Sequence, residues 1–165
     1  MQMWQDLILQ YCRFYKKYEL DLLECVKSNF NLFYNEKINR RLSIESLKEI
    51  FDDIVVNGYA EWIDNNSNVK SSKGHNIDKS RVLIMWRKPE EWASQIYKWV
   101  IDNGQVNSIL TIWEIQNGDD SKDQEFHQLN TTILLKALKT LEKQQKAQVF
   151  SGNENDNLGV KFFSI

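Results

Sequence analysis

The side chains that could do chemistry are few and badly spaced for it. The chain has two cysteines, Cys12 and Cys25, and two histidines, His75 and His127. A zinc site gathers three or four such ligands, commonly at spacings such as Cys-x-x-Cys, and no pair here has that spacing. His127 lies in "QEFHQL" with Asp123 and Glu125 close by, the kind of neighbourhood a general base needs. In a polar loop, however, such a pairing more often makes a structural hydrogen bond. No glycine-rich phosphate loop and no nucleophile elbow occurs, and the six glycines are scattered. No catalytic residue, metal ligand or cofactor site is therefore expected. Two distant cysteines make no disulfide framework and read as free thiols of a reducing compartment.

Binding is the other chemistry to weigh. Lys136, Lys139, Lys143 and Lys146 fall near one side of a helical stretch, against Glu142 alone. That stripe suits a solvated face or an acidic protein partner. It has no arginine or asparagine for bidentate contact with base edges, so direct nucleic-acid binding is not expected. The corresponding helix of the first half exposes Glu45, Glu49, Asp52 and Asp53, with Lys48 the exception, and phosphate would be repelled there. A net charge of -2 gives no global pull toward nucleic acid or anionic lipid. No apolar run approaches the ~20 residues of a membrane span, and no signal-peptide pattern opens the chain.

The elements that must position these groups come in a repeating order. With 165 residues, 42% of them hydrophobic, the chain can bury one core or two small ones. Trp4, Leu7, Ile8, Tyr11 and Phe14 recur at steps of three and four, which predicts a first helix with that face inward. "EKINRRL" predicts a short helix. "SIESLKEIFDDIVVNG" predicts a clear one, with Ser43 as N-cap and Ile44, Leu47, Ile50, Phe51, Ile54 and Val55 buried. "YAEWID" and "RVLIMW" read as strands around the sixteen polar residues 65–80, a long hairpin loop. The same order then returns. It runs through the helix "PEEWASQIYKWVIDNG", the short helix "TIWEIQNG", the acidic loop "GDDSKDQEFHQL" and the helix "NTTILLKALKTLEKQQK". The strands "AQVFS" and "GVKFFS" close it, around the turn "GNENDNL". Three helices and a terminal β-hairpin form the winged-helix plan. The expected fold is thus α+β and mostly helical, with two tandem winged-helix domains, 1–86 and 87–165.

Residues 81–100, "RVLIMWRKPEEWASQIYKWV", read as the joint between the two. Trp86 ends a strand, and only Arg87 and Lys88 separate it from Pro89. Proline at the first helical position loses no needed N–H, and Glu90 and Glu91 then favour the helix's positive end. Trp92, Ile96, Trp99 and Val100 share one face and are expected in the core. So short a link predicts a nearly rigid tandem.

Several blocks, "LIMWRKPEEW", "IYKWV", "GQVNSILTIWEIQNGDD", "EFHQL", "LLKALKTLEK" and "GVKFF", closely resemble the small-subunit family of ESCRT-II, the vacuolar protein sorting-associated protein 25 family. "WQDLILQYC", "LFYNEKINRRLS" and "GYAEWID" extend the resemblance over nearly the whole chain. It implies two winged helices and a non-enzymatic adaptor of endosomal sorting, which delivers ubiquitinated membrane proteins into multivesicular bodies. The implied place is the cytoplasm, at the endosomal surface, with membrane association indirect through the complex. The implied partners are two larger ESCRT-II subunits, faced by the first domain, and the N-terminal helix of an ESCRT-III subunit, bound by the second. Members of the family begin with a Pro-Pro-x-Phe or Pro-Pro-x-Tyr segment that docks on the larger subunits. This chain, whose one proline is Pro89, shows no such motif. For the ESCRT-III helix the resemblance points to "SILTIWEI". Ile109, Thr111, Ile112 and Glu114 are the expected contacts, Phe126 and His127 one wall, and Lys136 and Lys139 electrostatic contacts. Within that set Ile109 and Ile112 are expected to be mostly buried and Thr111 exposed. The alternative to the adaptor is a tandem winged-helix nucleic-acid-binding protein.

Overall fold

A computed structural model describes residues 2–27, 30–63, 78–151 and 158–164. Most of the polar stretch 65–80, including His75, and nearly all of the turn "GNENDNL" lie outside the described residues. The chain divides into two compact units, Met1–Trp86 and Arg87–Ile165.

The first unit begins with α1 (Gln2–Phe14), β1 (Glu19–Asp21) and α2 (Leu22–Cys25). A short ladder follows, β2 (Tyr34–Asn35) and β3 (Arg40–Arg41), with 3-10 turns at Asn31–Phe33 and Glu36–Ile38. The unit ends with α3 (Ile44–Val56), β4 (Ala60–Ile63) and β5 (Arg81–Ile84). Ser43 caps α3, its Oγ accepting from Ser46 N at 3.2 Å. Leu47, Ile50, Phe51 and Ile54 point inward, while Ile44 and Val55 are only half-buried. Strand order is β1-β5-β4, all antiparallel, with β2 and β3 in a separate ladder.

The sequence expectation needs two corrections here. The second helix of this unit is α2, not "EKINRRL", which instead forms a 3-10 turn and a strand. Asp21 drives α2 locally, its carboxylate accepting from Leu23 N at 2.8 Å as an N-cap. The buried face of α1 is also rotated from the expected one. It is Gln5, Ile8 and Cys12, whereas Leu7 and Phe14 are exposed. Apolar residues ring more of α1 than the unit can cover, so periodicity alone misjudges which side packs. Gln5 can be buried because its Oε1 accepts from Asn57 Nδ2 at 2.7 Å.

The second unit repeats the order: α4 (Pro89–Asp102), β6 (Ile109–Thr111), α5 (Ile112–Asn117), α6 (Thr131–Lys143), β7 (Ala147–Ser151) and β8 (Leu158–Phe162). Pro89 starts α4, and Glu91 accepts from Lys88 N at 2.7 Å to satisfy an otherwise orphaned donor. Trp92, Ile96, Trp99 and Val100 are buried, as are Ile133, Leu134, Ala137, Leu138 and Leu141 of α6. The larger of these side chains each contribute roughly 1.5–3 kcal/mol by leaving water, so the α4 and α6 stripes are a major stabilising element of the unit. Strand order is β6-β8-β7, the same first-third-second pattern as in the first unit. Each unit is a winged helix with a third strand added to the wing.

Both edges of the second sheet are closed by carboxylates. An edge strand leaves alternate N–H groups without a strand partner. On β7, Val149 N donates to Glu142 Oε1 at 2.6 Å, and on β6, Thr111 N donates to Glu114 Oε2 at 2.7 Å.

Candidate partner-docking site

The residues singled out in "SILTIWEI" occupy β6 and α5. In a strand, alternate side chains share a face, so Ile109 and Thr111 point the same way and Leu110 the other. Their register partners on the central strand are Lys161 and Gly159, which pair in turn with Gln148 and Phe150 on β7. This face therefore carries Ile109, Thr111, Lys161, Gln148 and Phe150. Gly159 leaves room for Phe150, since a Cβ there would stand 2.6 Å from the Phe150 ring. Ile109 is 60% exposed, against the expectation that it is buried. β6 is three residues long and lies at the edge of its sheet, which leaves this side chain in water.

Thr111 has a role beyond the face. It is the N-cap of α5, accepting from Glu114 N at 3.1 Å and donating to Glu114 Oε2 at 2.9 Å. With the bond from Thr111 N this forms a closed capping box. The backbone N–H of Thr111, and then its hydroxyl, hold the Glu114 carboxyl below the usual carboxylate range. Glu114 thus faces solvent as a fixed negative charge. The expectation of an exposed Thr111 is met in part: it is half-exposed and fully engaged.

Two expected contacts belong to the core. Ile112 is 8% exposed, turned inward with Ile115. Phe126 is 1% exposed and meets Trp99 edge to face at 5.4 Å. Neither can be a surface wall in this conformation. His127 is half-buried, and its Nδ1 lies 3.0 Å from the Oγ of Ser121, which is wholly buried. Ser121 Oγ also donates to Gly118 O at 3.0 Å, so Nδ1 of His127 carries the proton and donates to Ser121. Glu125 pairs with Arg87 at 2.9 Å. His127 Nδ1 and Glu125 Oε2 thus meet different groups, Ser121 and Arg87. Gln116 links this loop to α5, its Nε2 donating to Leu129 O at 2.7 Å.

Lys136 and Lys139 lie on α6, apart from the β6–α5 group; Lys139 is exposed and Lys136 half-buried. The expected four-lysine stripe is broken. α6 ends at Lys143, and Lys146 lies over the Tyr97 ring at 5.0 Å. Of the joint residues, Trp86 is buried in the first unit, Arg87 pairs with Glu125, and Lys88 caps α4 before Pro89. Among the described residues no group of three or more His, Cys, Asp or Glu side chains is placed to hold a metal.

Sequence reasoning missed Trp113, which is 61% exposed. A signal was present. In "IWEI" only Ile112 and Ile115 can share a helical face, so the tryptophan between them must turn outward. The β6–α5 segment thus exposes two large apolar side chains, Ile109 and Trp113, together with the negative charge of Glu114.

Comparisons with known proteins agree on one assignment. The model of the ESCRT-II complex subunit family matches residues 1–130. The vacuolar protein-sorting-associated protein 25 of Dictyostelium discoideum is 67% identical over 165 residues, covering 99% of this chain and 84% of that one. The crystal structure of the VPS25 subunit of the endosomal trafficking complex ESCRT-II superposes with a TM-score of 0.78 at 27% identity, covering 98% of this chain and 84% of that one. A chain of the crystal structure of the endosomal complex ESCRT-II (VPS22/VPS25/VPS36) gives 0.73 at 31% identity, covering 95% and 84%.

Proposed function

The chain belongs to the ESCRT-II complex subunit family, and on that premise we propose that it is a non-enzymatic adaptor between two larger ESCRT-II subunits and ESCRT-III. Its first winged helix (residues 1–86) faces the larger subunits; a similar chain of known structure belongs to a complex of VPS22, VPS25 and VPS36. Its second (87–165) takes the N-terminal amphipathic helix of an ESCRT-III subunit, the helix-in-groove mode of recognition. The protein works in the cytoplasm at the endosomal surface, and reaches the membrane through the complex. Among the described residues no helix is long and apolar enough to cross a membrane.

One observation carries the docking assignment: Ile109 and Trp113 are exposed at 60% and 61% around the capped turn of Thr111 and Glu114. A large aromatic and a branched aliphatic at one surface make an anchor pair, and aromatic anchors dominate interface energetics. Glu114 then orients a basic residue of the incoming helix, and Lys136 and Lys139 speed encounter with its acidic residues. Ile112 and Phe126 support the surface from beneath, and His127 holds the adjoining loop through Ser121.

The test is calorimetric titration of the chain with the N-terminal helix peptide of an ESCRT-III subunit. Trp113→Ala and Ile109→Ala should each weaken binding by about tenfold or more. Both positions are exposed, so thermal unfolding should stay near wild type. Wild-type affinity in both variants would place the helix elsewhere. A duplex-DNA shift that collapses between ~50 and 200 mM salt would favour the nucleic-acid alternative instead.

A further inference from the structure

The block "LFYNEKINRRLS" helps carry the family resemblance, yet the second-unit docking site makes no use of it. In the structure it lines a cleft of about 820 Å³ in the first unit, within the usual size range of ligand pockets. The cleft has a local cause. The β2–β3 ladder is only two residue pairs long and does not join the three-stranded sheet. The chain from Leu32 to Leu42 therefore stands away from that sheet and faces the start of α1. Asn39 takes a left-handed conformation (φ 47°) to close the 3-10 turn, and Tyr34 Oη donates to Asn39 Oδ1 at 3.0 Å, which stiffens the turn.

Floor and rim differ in character. The floor is aromatic and aliphatic. Trp4 and Phe33 meet at 6.1 Å between ring centroids, and Leu32 and Leu42 line the same space. Arg41 is already used, stacked 4.9 Å over Tyr34 and donating to the Val26 carbonyl, so it serves as wall. The rim carries Lys37 and Arg40, both exposed, and neither forms an ion pair with another described residue. Glu36 is the one lining carboxylate. Ile38, 62% exposed, stands between the two cations at the mouth.

We propose that this cleft docks a short linear segment of another protein, a bulky aromatic or aliphatic anchor flanked by acidic residues. The apolar floor takes the anchor and leaves water, which is where most of the affinity arises. The rim cations, unpaired among the described residues, select acidic flanks, raising the on-rate and rejecting basic segments. Two rim cations around an apolar floor are too few to hold a polyanion, and a lipid headgroup would leave the floor unfilled. This assignment concerns the first unit and stands apart from the helix-docking site of the second.

The test uses the full chain, isotopically labelled, with fluorescein-tagged twelve-residue peptides of defined type. One carries a central Trp-Leu pair with Asp/Glu flanks, a second the same pair with Lys flanks, and a third Ala-Ala with Asp/Glu flanks. The acidic anchored peptide should bind in anisotropy and shift resonances of the Trp4 indole and of residues 32–42. The other two should bind at least tenfold more weakly. Lys37→Glu with Arg40→Glu, and separately Ile38→Asp, should each weaken the first peptide by about tenfold, while Lys98→Glu, at an exposed position of the second unit, should leave it unchanged. These rim positions are exposed, so loss of binding in a chain with wild-type circular dichroism cannot be blamed on misfolding. The proposal falls if no anchored peptide moves the 32–42 resonances at millimolar concentration, or if the Lys-flanked peptide binds equally. It also falls if vesicles containing anionic lipid, but no peptide, shift those resonances. A self-association that fills the cleft and excludes peptide would overturn it as well.

Discussion

Removing the α5 cap gives the clearest test of how the second unit builds its proposed docking surface. In Thr111→Ala the hydroxyl that accepts from Glu114 N at 3.1 Å and donates to Glu114 Oε2 at 2.9 Å is lost. The bond from the residue-111 N–H to the carboxylate, 2.7 Å in the wild type, remains. Capping substitutions of this kind cost about 1 kcal/mol. α5 has six residues, so it has no further turns over which to dissipate the loss. Water can reach the half-exposed site, which keeps the cost from rising much higher. About 1 kcal/mol is roughly a fivefold increase in the unfolded fraction. Urea unfolding followed through the buried Trp92 and Trp99, together with exchange of the Glu114 amide, should report it, and Thr111→Ser should restore most of it. The pH dependence is fixed in sign. Glu114 is depressed in the folded state, so its contribution is present above its unfolded value near 4.3 and is lost as pH falls through the lower folded value. The gap between wild type and Thr111→Ala should therefore narrow in acid. A gap of only a few tenths of a kcal/mol, or one that ignores pH in this window, would refute the capping argument. The same arithmetic shows that Thr111→Lys would mix a lost cap with a new surface charge. Trp113→Ala is the cleaner probe of binding.

Packing and charge pairing lead to four further predictions. Gly118→Ala should cost about 2 kcal/mol by equilibrium unfolding, because its Cβ would meet the Glu114 carbonyl oxygen at 2.4 Å and that backbone cannot easily move. Gly159→Ala should cost about 1 kcal/mol or less, because the Phe150 ring it strikes is 39% exposed and can swing away; equal costs would contradict this. Burial pushes the thiols of Cys12 and Cys25 up to about 12, so neither should react with a thiol reagent at pH 8 until urea unfolds the first unit; fast labelling of the native chain would overturn that. Burial alone would raise the Asp52 carboxyl, but Lys79 and the Trp62 indole N–H outweigh it and hold the carboxyl below its usual range. Its contribution is present above its unfolded value near 3.9 and fades in stronger acid, and because the pair is solvent-accessible Asp52→Asn should cost under about 1 kcal/mol at pH 7.

Much of the fold was legible in the sequence, and the exceptions have physical causes. The long helices were visible because their apolar residues recur every three or four positions over three turns or more, and Ser43 and Pro89 mark two of their starts. The three-residue strands β1 and β6 were invisible, because they are too short to show alternation and exist only where β5 and β8 offer hydrogen bonds to them. α2 was missed for the same reason: four residues carry no period, and Asp21 is the only local sign. "EKINRRL" contains helix formers, but its strand pairing and the left-handed Asn39 won over propensity.

Within the candidate site the side chains do not all lie as expected: Ile109 faces water and Phe126 fills the core. Sequence alone set the repeated helix–sheet order and the buried tryptophans 92 and 99. It could do so because these depend on residue type and on spacing along one chain. Only the tertiary structure decided that Ile109 and Trp113 face water while Ile112 and Phe126 fill the core. It also decided that Thr111 is bound to its own helix, that His127 leans on Ser121, and that "LFYNEKINRRLS" walls a cleft with Trp4. Each of those outcomes depends on which neighbouring element covers a given face, and that neighbour comes from a distant part of the sequence.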